Sequence, residues 1–359
     1  MPVARNKINF KGQNIYVGID SHLRSWKVTI MTEHNLHKTF SQNPDPKVLA
    51  YYLRRNFPGA TYYSAYEASF CGFGPHRELI SLGVKNIVVN PADIPTTDKE
   101  KKQKEDKRDS RKIAKTLRSG DLKAIYVPSK ESEELRSLVR YRKTLVKDIG
   151  RGKNRIKSCL YFHGVNIPED HLLASKYWSN KFTDWIKSVK MSTPYGTIVL
   201  QDLLENNLLL RKKLLSVTKE IRKIAKSAKY EKVYGLLVGV PGIGPITAMT
   251  IISELENIQR FKNHDKLCSY IGLVPTTNSS GETDKTGKVS TRANRALRAS
   301  IIESAWIAAR TDPALSLVFN ELCARMKANK AIIRIAKKLL NRVRYVLKNE
   351  KEYVYSVIS

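Results

Sequence analysis

Tyr16-Val17-Gly18-Ile19-Asp20 decides the fold: it is an apolar run of β-formers that ends on a carboxylate. A second run of the same kind, Tyr63-Ser64-Ala65-Tyr66-Glu67, ends on another. Each reads as a strand with its acid at the carboxyl end. Asp106 and Asp109 follow in a helix-compatible stretch that runs to Leu117, and their spacing puts both on one helical face. Two strand ends and one helix face can converge on a point. Carboxylates held that close repel one another unless a cation neutralises them, and oxygen donors select a hard ion, Mg²⁺ or Mn²⁺. The pattern points to a metal-dependent phosphodiester site with Asp20, Glu67, Asp106 and Asp109 as ligands. The competing reading is four ordinary solvated acids.

Working outward, Ile15-Tyr16-Val17 and Trp26 to Met31 read as neighbouring strands, with a third near His37 to Phe40. A helix over Pro46 to Asn56 precedes the Thr61–Glu67 strand, and a helix from Pro75 to Leu82 precedes a strand at Asn86 to Val89. A meander of strands that gives way to strand–helix alternation makes a mixed α/β sheet with helices on its faces. That is the order of an RNase H-like architecture.

The composition limits the partners. Lys and Arg number 64 against 33 acids, a formal charge of +31 spread along the whole length, and 42% hydrophobic content is ample for real cores. A polyanion is the implied partner. No apolar span of about 18 residues offers a membrane helix, and the start, Met1 to Phe10, has no signal core. The expected setting is intracellular, with no membrane partner. Cys71, Cys159, Cys268 and Cys323 are too far apart for a zinc knuckle or redox motif and read as reduced thiols. The scattered histidines, with only His34 and His37 close together, argue against a His-based metal site. Between Asp98 and Arg111 nearly every residue is charged. Lys107, Arg108 and Arg111 stand beside two of the acids, where they could hold the scissile phosphate; the alternative is a solvated helix.

From Glu131 to about Tyr230 strand alternation disappears. Leu203, Leu210, Leu214, Val217, Ile221 and Ile224 form a heptad seam, with a weaker counterpart in Leu138, Leu145, Ile149 and Ile156. The segment reads as a dimerising coiled coil or as a self-contained helical hairpin turning within His163 to Tyr195. The last third opens with Pro241-Gly242-Ile243-Gly244 before an apolar helix through Leu255. Gly242 and Gly244 would let backbone N–H groups approach a phosphate, as in a helix-hairpin-helix element, against a plain capping turn. After Leu267 to Pro275 comes Thr276-Thr277-Asn278-Ser279-Ser280-Gly281, which by composition is a turn, then a loop to Lys288. A helix is expected from Ser290, with Arg292, Arg295 and Arg298 as a stripe suited to phosphates.

Together these residues resemble the DEDD insertion-sequence transposases of the "IS one-ten" type, which join a RuvC-like domain to a C-terminal transposase domain and are related to Piv-type DNA invertases. The carriers are Gly18-Ile19-Asp20, Glu67-Ala68, Asn90-Pro91, Asp106-Lys107-Arg108-Asp109, Pro241-Gly242-Ile243-Gly244, Gly272-Leu273-Val274-Pro275 and Ser280-Gly281. The resemblance implies a RuvC-like DEDD domain over 1–128 and a mainly helical transposase domain over 231–359, and the heptads place a coiled-coil dimerisation segment over 129–230 between them. It implies divalent metal on the four acids and a nucleophilic serine at Ser280, with Ser279 the neighbouring choice. It further implies donor and target DNA paired to a structured noncoding guide RNA. The working form would be a dimer or tetramer with composite sites, in the prokaryotic cytoplasm on the nucleoid. Ser110, where this family commonly has Ala, departs from the pattern. The expected activity is RNA-guided recombination through a phosphoserine. A water-using junction resolvase or nuclease and a non-enzymatic basic nucleic-acid-binding protein are the alternatives.

Overall fold

The computed structural model describes residues 9–94, 106–173, 178–280, 283–290 and 293–355, and only the backbone at 106–107, 276–280 and 283–288. The chain divides between Val127 and Pro128 into two compact units.

The first unit holds β1 (Asn14–Ser21), β2 (Trp26–Met31), β3 (Leu36–Gln42), α1 (Pro46–Asn56), β4 (Thr61–Glu67), α2 (Gly74–Ser81), β5 (Lys85–Val89) and α3 (Asp106–Arg118). The strands form one sheet in the order β3-β2-β1-β4-β5. β1–β2 and β2–β3 are antiparallel, β1–β4 and β4–β5 parallel. The mixed five-stranded sheet agrees with an RNase H-like fold. Ile15, Val17 and Ile19 alternate onto one face, where they pack with Leu49 and Leu53 of α1 and Leu79 of α2. α1 starts where the sequence says it should: Asp45 Oδ1 accepts from Lys47 N at 2.7 Å and Pro46 fills the first turn. The opposite face packs Ala65 and Val89 against Ile113 of α3.

The second unit holds α4 (Lys130–Phe162), the one-turn α5 (Glu169–Leu172), α6 (Asn180–Ser188), α7 (Pro194–Ala225), α8 (Glu231–Val238), α9 (Pro245–Leu255) and α10 (His264–Ile271). The hairpin β6 (Pro275–Ser280) and β7 (Thr283–Val289) follows, then α11 (Arg295–Thr311), α12 (Pro313–Cys323) and α13 (Ala328–Asn349). The segment read as a loop to Lys288 is thus an antiparallel hairpin. Its strands were hidden because Thr-Thr-Asn-Ser-Ser has none of the apolar alternation that marks a half-buried strand.

α4 and α7, the two helices read as coiled-coil strands, pack against each other within the chain. The seam has a gap between Leu203 and Leu210, and Asn207 fills it. Asn207 is buried and donates from Nδ2 to Ile149 O at 2.9 Å, where Gly152 leaves room: a β-carbon there would lie 2.4 Å from Nδ2. A single polar residue in such a seam fixes register. Met249 of α9 joins Leu135, Val139, Ile221 and Ala225 in one core, so the long helices and the C-terminal helices share a unit. Among the described residues no helix is long and apolar enough to cross a membrane.

Candidate active site

The sheet builds the acidic half rung by rung. β1 and β4 run parallel with Gly18 beside Ala65 and Ile19 beside Tyr66. Asp20 and Glu67 take the next rung, at the carboxyl ends of strands about 4.8 Å apart. Alternation puts Gly18 and Asp20 on one face, and Ala65 and Glu67 on the same one. α3 covers that face. A β-carbon on Gly18 would stand 2.0 Å from Ser110 O and 2.4 Å from Ala114 N, so only glycine admits the helix at this distance.

The direction of α3 follows from its two ends. Ser110 Oγ lies 2.9 Å from Thr29 Oγ1, and Thr29 pairs with Gly18; Arg118 Nη1 donates to Thr32 O at 3.5 Å, just past β2. β2 is antiparallel to β1, so α3 also runs antiparallel to β1, with its first turn at the carboxyl edge. Asp106 and Asp109 belong to that turn. The fold therefore brings the backbone positions of all four acids to one edge of one face. Ser110, the departure from the family pattern, is buried, and its hydroxyl meets a Thr29 that also bonds Thr39 Oγ1 at 3.0 Å. Arg108 and Arg111 are exposed on α3, while the side chains of Asp106 and Lys107 lie outside the described residues.

Three neighbours escaped the sequence reading. His22 Nε2 is 3.1 Å from Asp20 Oδ2, and the Asp-x-His spacing along a strand was the available signal. Just beyond the acids, Ser21 Oγ lies 3.1 Å from Ser69 Oγ, which is 3.3 Å from Cys71 Sγ, so hydroxyls bridge the two strand ends. Among the described residues no three His, Cys, Asp or Glu side chains are grouped so as to hold a metal ion. In chemistry the donor set is all oxygen, which fits a hard cation rather than zinc or copper.

In the second unit, Ser280 is the last residue of β6 and pairs with Thr283, with residues 281–282 between them outside the described set. The side chains of Ser279 and Ser280 are outside it too, as is Arg292. α11 begins at Arg295 rather than Ser290, because Asn294 is the cap: its Oδ1 accepts from Leu297 N at 3.1 Å. Arg295 is exposed. Arg298 turns inward and donates from Nη1 to Ser290 O at 2.6 Å and Gly272 O at 3.3 Å. The two turn glycines differ as well. Gly242 has φ +81°, and a β-carbon on it would lie 2.2 Å from Ser304 O of α11, so packing explains it; Gly244, the cap of α9, is exposed with nothing within 4 Å.

The largest omission is Glu254 of α9, only 1% exposed. Arg140 of α4 grips it as a fork, Nε to Oε1 at 2.7 Å and Nη2 to Oε2 at 2.8 Å, while Asn294 Nδ2 donates to Oε2 at 2.7 Å. The hydrogen-bonded carboxylate raises Arg140 above the ordinary arginine value.

Comparison with known proteins places the chain. Residues 17–163 match a transposase model of the DEDD, IS110 type, and residues 234–319 match the model described as Transposase IS116/IS110/IS902 family. A Sinorhizobium fredii protein carrying the name transposase y4rJ is 31% identical over 296 residues, 76% of this chain and 74% of its own length. The transposase for insertion sequence element IS1533 of Leptospira borgpetersenii is 25% identical over 255 residues, 70% of this chain and 72% of its own. Another Sinorhizobium fredii relative, y4qE, is 29% identical over 244 residues, and the match spans 68% of this chain but only 58% of that protein. The two matched segments carry the four acids and the serine hairpin, and the chain belongs to the IS116/IS110/IS902 family of transposases.

Proposed function

We propose that the chain is the DNA recombinase of an insertion sequence, guided by a structured RNA and cutting through a phosphoserine. The observation that carries the reading is the edge where Asp20 and Glu67, on adjacent parallel strands, meet the first turn of α3 with Asp106 and Asp109. Those four carboxylates would hold Mg²⁺ or Mn²⁺, which when bound supplies charge stabilisation at the reacting phosphate. Lys107, Arg108 and Arg111 fall within the first two turns of α3 and would grip flanking phosphates. Ser280 Oγ would attack phosphorus as its proton passes to solvent. The bond from phosphorus to the 3′ oxygen breaks, that oxygen takes a proton, and a 5′ phosphoserine remains. An incoming 3′ hydroxyl then attacks the same phosphorus and releases the serine, so strands are rejoined without a nucleotide cofactor. Acids and serine belong to different units, and the working form would be a dimer or tetramer that unites them. Exposed Tyr195, Ile198 and Val199 on α7 suit such self-association.

The test is covalent trapping. Wild-type protein with target DNA, cognate RNA and Mg²⁺ should give a denaturant-resistant adduct that maps to Ser280. Ser280→Ala should lose the adduct but keep binding, because the charge that governs affinity is untouched. Asp109→Ala or EDTA should stop cleavage. Metal-dependent cleavage that persists without an adduct would move the water-using resolvase ahead, and an adduct retained in Ser280→Ala would shift the role to Ser279.

A further inference from the structure

The second foot of the β6–β7 hairpin rests on a buried carboxylate, and the first is tied to the second. The first foot is the chain from Gly272 to Val274, and the second is marked by Ser290 on one side and Ala293 and Asn294 on the other. Ser290 N donates to Val274 O at 3.0 Å, and Arg298 links Ser290 O to Gly272 O. Gly272 has φ +78°, and a β-carbon there would lie 2.2 Å from that of Ala293, so the feet touch. Asn294 then ties them to the core: its N–H donates to Tyr270 O at 3.1 Å and its Nδ2 to Glu254 Oε2. Tyr270 OH reaches Glu254 O at 3.2 Å. Arg140 and Arg136, 3.4 Å from Oε2, hold the carboxylate from α4.

A carboxylate taken out of water and matched with arginines is seldom more stabilising than apolar side chains of the same volume. What it offers instead is direction, because a guanidinium fork fixes the plane of the carboxylate and so the line along which its remaining lone pairs point. Here that line ends on Asn294. We infer that Glu254, oriented by Arg140, is a positioning residue that fixes the base of the serine hairpin through Asn294. The inference rests on the reading of Ser280 as nucleophile for its catalytic consequence, but not for its mechanical one.

The variants separate this role from simple folding. Asn294→Ser keeps a good helix cap yet is too short to reach Glu254, and Glu254→Gln keeps the shape but presents an amide nitrogen to one of its donors. Amide hydrogen exchange across β6 and β7 should rise about 10-fold or more in both, with α13 unchanged. Adduct formation at saturating DNA should fall by about 10-fold to 100-fold while DNA affinity stays within about twofold, because misplacement affects the reacting atom and not the charge. Hairpin exchange and adduct rate equal to wild type in Asn294→Ser would overturn the inference. If Glu254→Gln does not fold, Asn294→Ser and Arg140→Lys decide. If wild-type protein gives no adduct, the serine reading fails and the exchange data alone decide the anchor.

Discussion

Replacing Gly18 with alanine should move the acids of β1 and α3 apart without touching any of them. The added carbon would sit 2.0 Å from Ser110 O and 2.4 Å from Ala114 N, both backbone atoms that cannot swing aside. To restore ordinary contact at 3.4 Å or more, α3 must retreat by over an ångström. Overpacking of this kind costs about 1–3 kcal/mol, and loss of the buried Thr29–Ser110 hydrogen bond adds about 1 kcal/mol. Around 3 kcal/mol in a unit of this size lowers the melting temperature by roughly 10 °C. Because α3 carries Asp106 and Asp109, the same shift should reduce the proposed Mg²⁺-dependent cleavage by about 100-fold below the melting transition. Gly74→Ala is the control: it lies in α2 of the same unit with nothing within 4 Å of the new carbon, and should melt at or slightly above the wild-type temperature. Calorimetry and a strand-cleavage assay read both. A Gly18→Ala protein with wild-type melting and wild-type cleavage would mean that α3 does not sit on β1 as described.

Two further outcomes are expected. Gly152→Ala should destabilise the α4–α7 pair despite alanine's helix preference, because the new methyl meets Asn207 Nδ2 at 2.4 Å; adding Asn207→Ala should recover stability, and strictly additive effects in thermal unfolding would refute the contact. Asp312 is fully buried; burial opposes its ionisation, but hydrogen bonds from Tyr353, Arg342 and Leu315 N outweigh this and hold its carboxyl below the usual range. A depressed native value gives stability that is complete above the unfolded value near pH 4 and disappears as the pH falls through the native one. The melting temperature of Asp312→Asn should accordingly fall less than that of wild type between about pH 5 and pH 3, and parallel curves would count against the network.

The placement of the four acids on one edge of the sheet was legible because strand ends and helix faces are local properties. β4 lies where its apolar run puts it, and α1 spans the Pro46–Asn56 stretch expected of it. Gly18 gave no such warning: a glycine within a strand signals close approach, but not what approaches. Gly242 is ambiguous in the opposite direction, since a turn glycine reads equally as a phosphate cradle and as a seat for α11, and the sequence does not show the second role. Ser290 and Asn294 are both good caps, and only packing selects the second. Glu254 was invisible in principle, because its partners Arg140 and Asn294 stand 114 and 40 residues away and no periodicity links them.

The Asn207 rung also constrains how this molecule can change length. Two helices joined only by leucines could slide or be cut almost anywhere, whereas here one amide must meet Ile149 O beside Gly152. Removing or inserting residues in one helix alone turns that amide onto aliphatic neighbours, leaving a buried polar group unsatisfied at about 1–3 kcal/mol. Matched insertions of seven residues in both helices, beyond the rung, keep every layer in place and extend the rod by about 10 Å. The pair therefore behaves as a ruler graduated in heptads with its zero at Asn207, and lengthening it is tolerated only in whole, paired graduations.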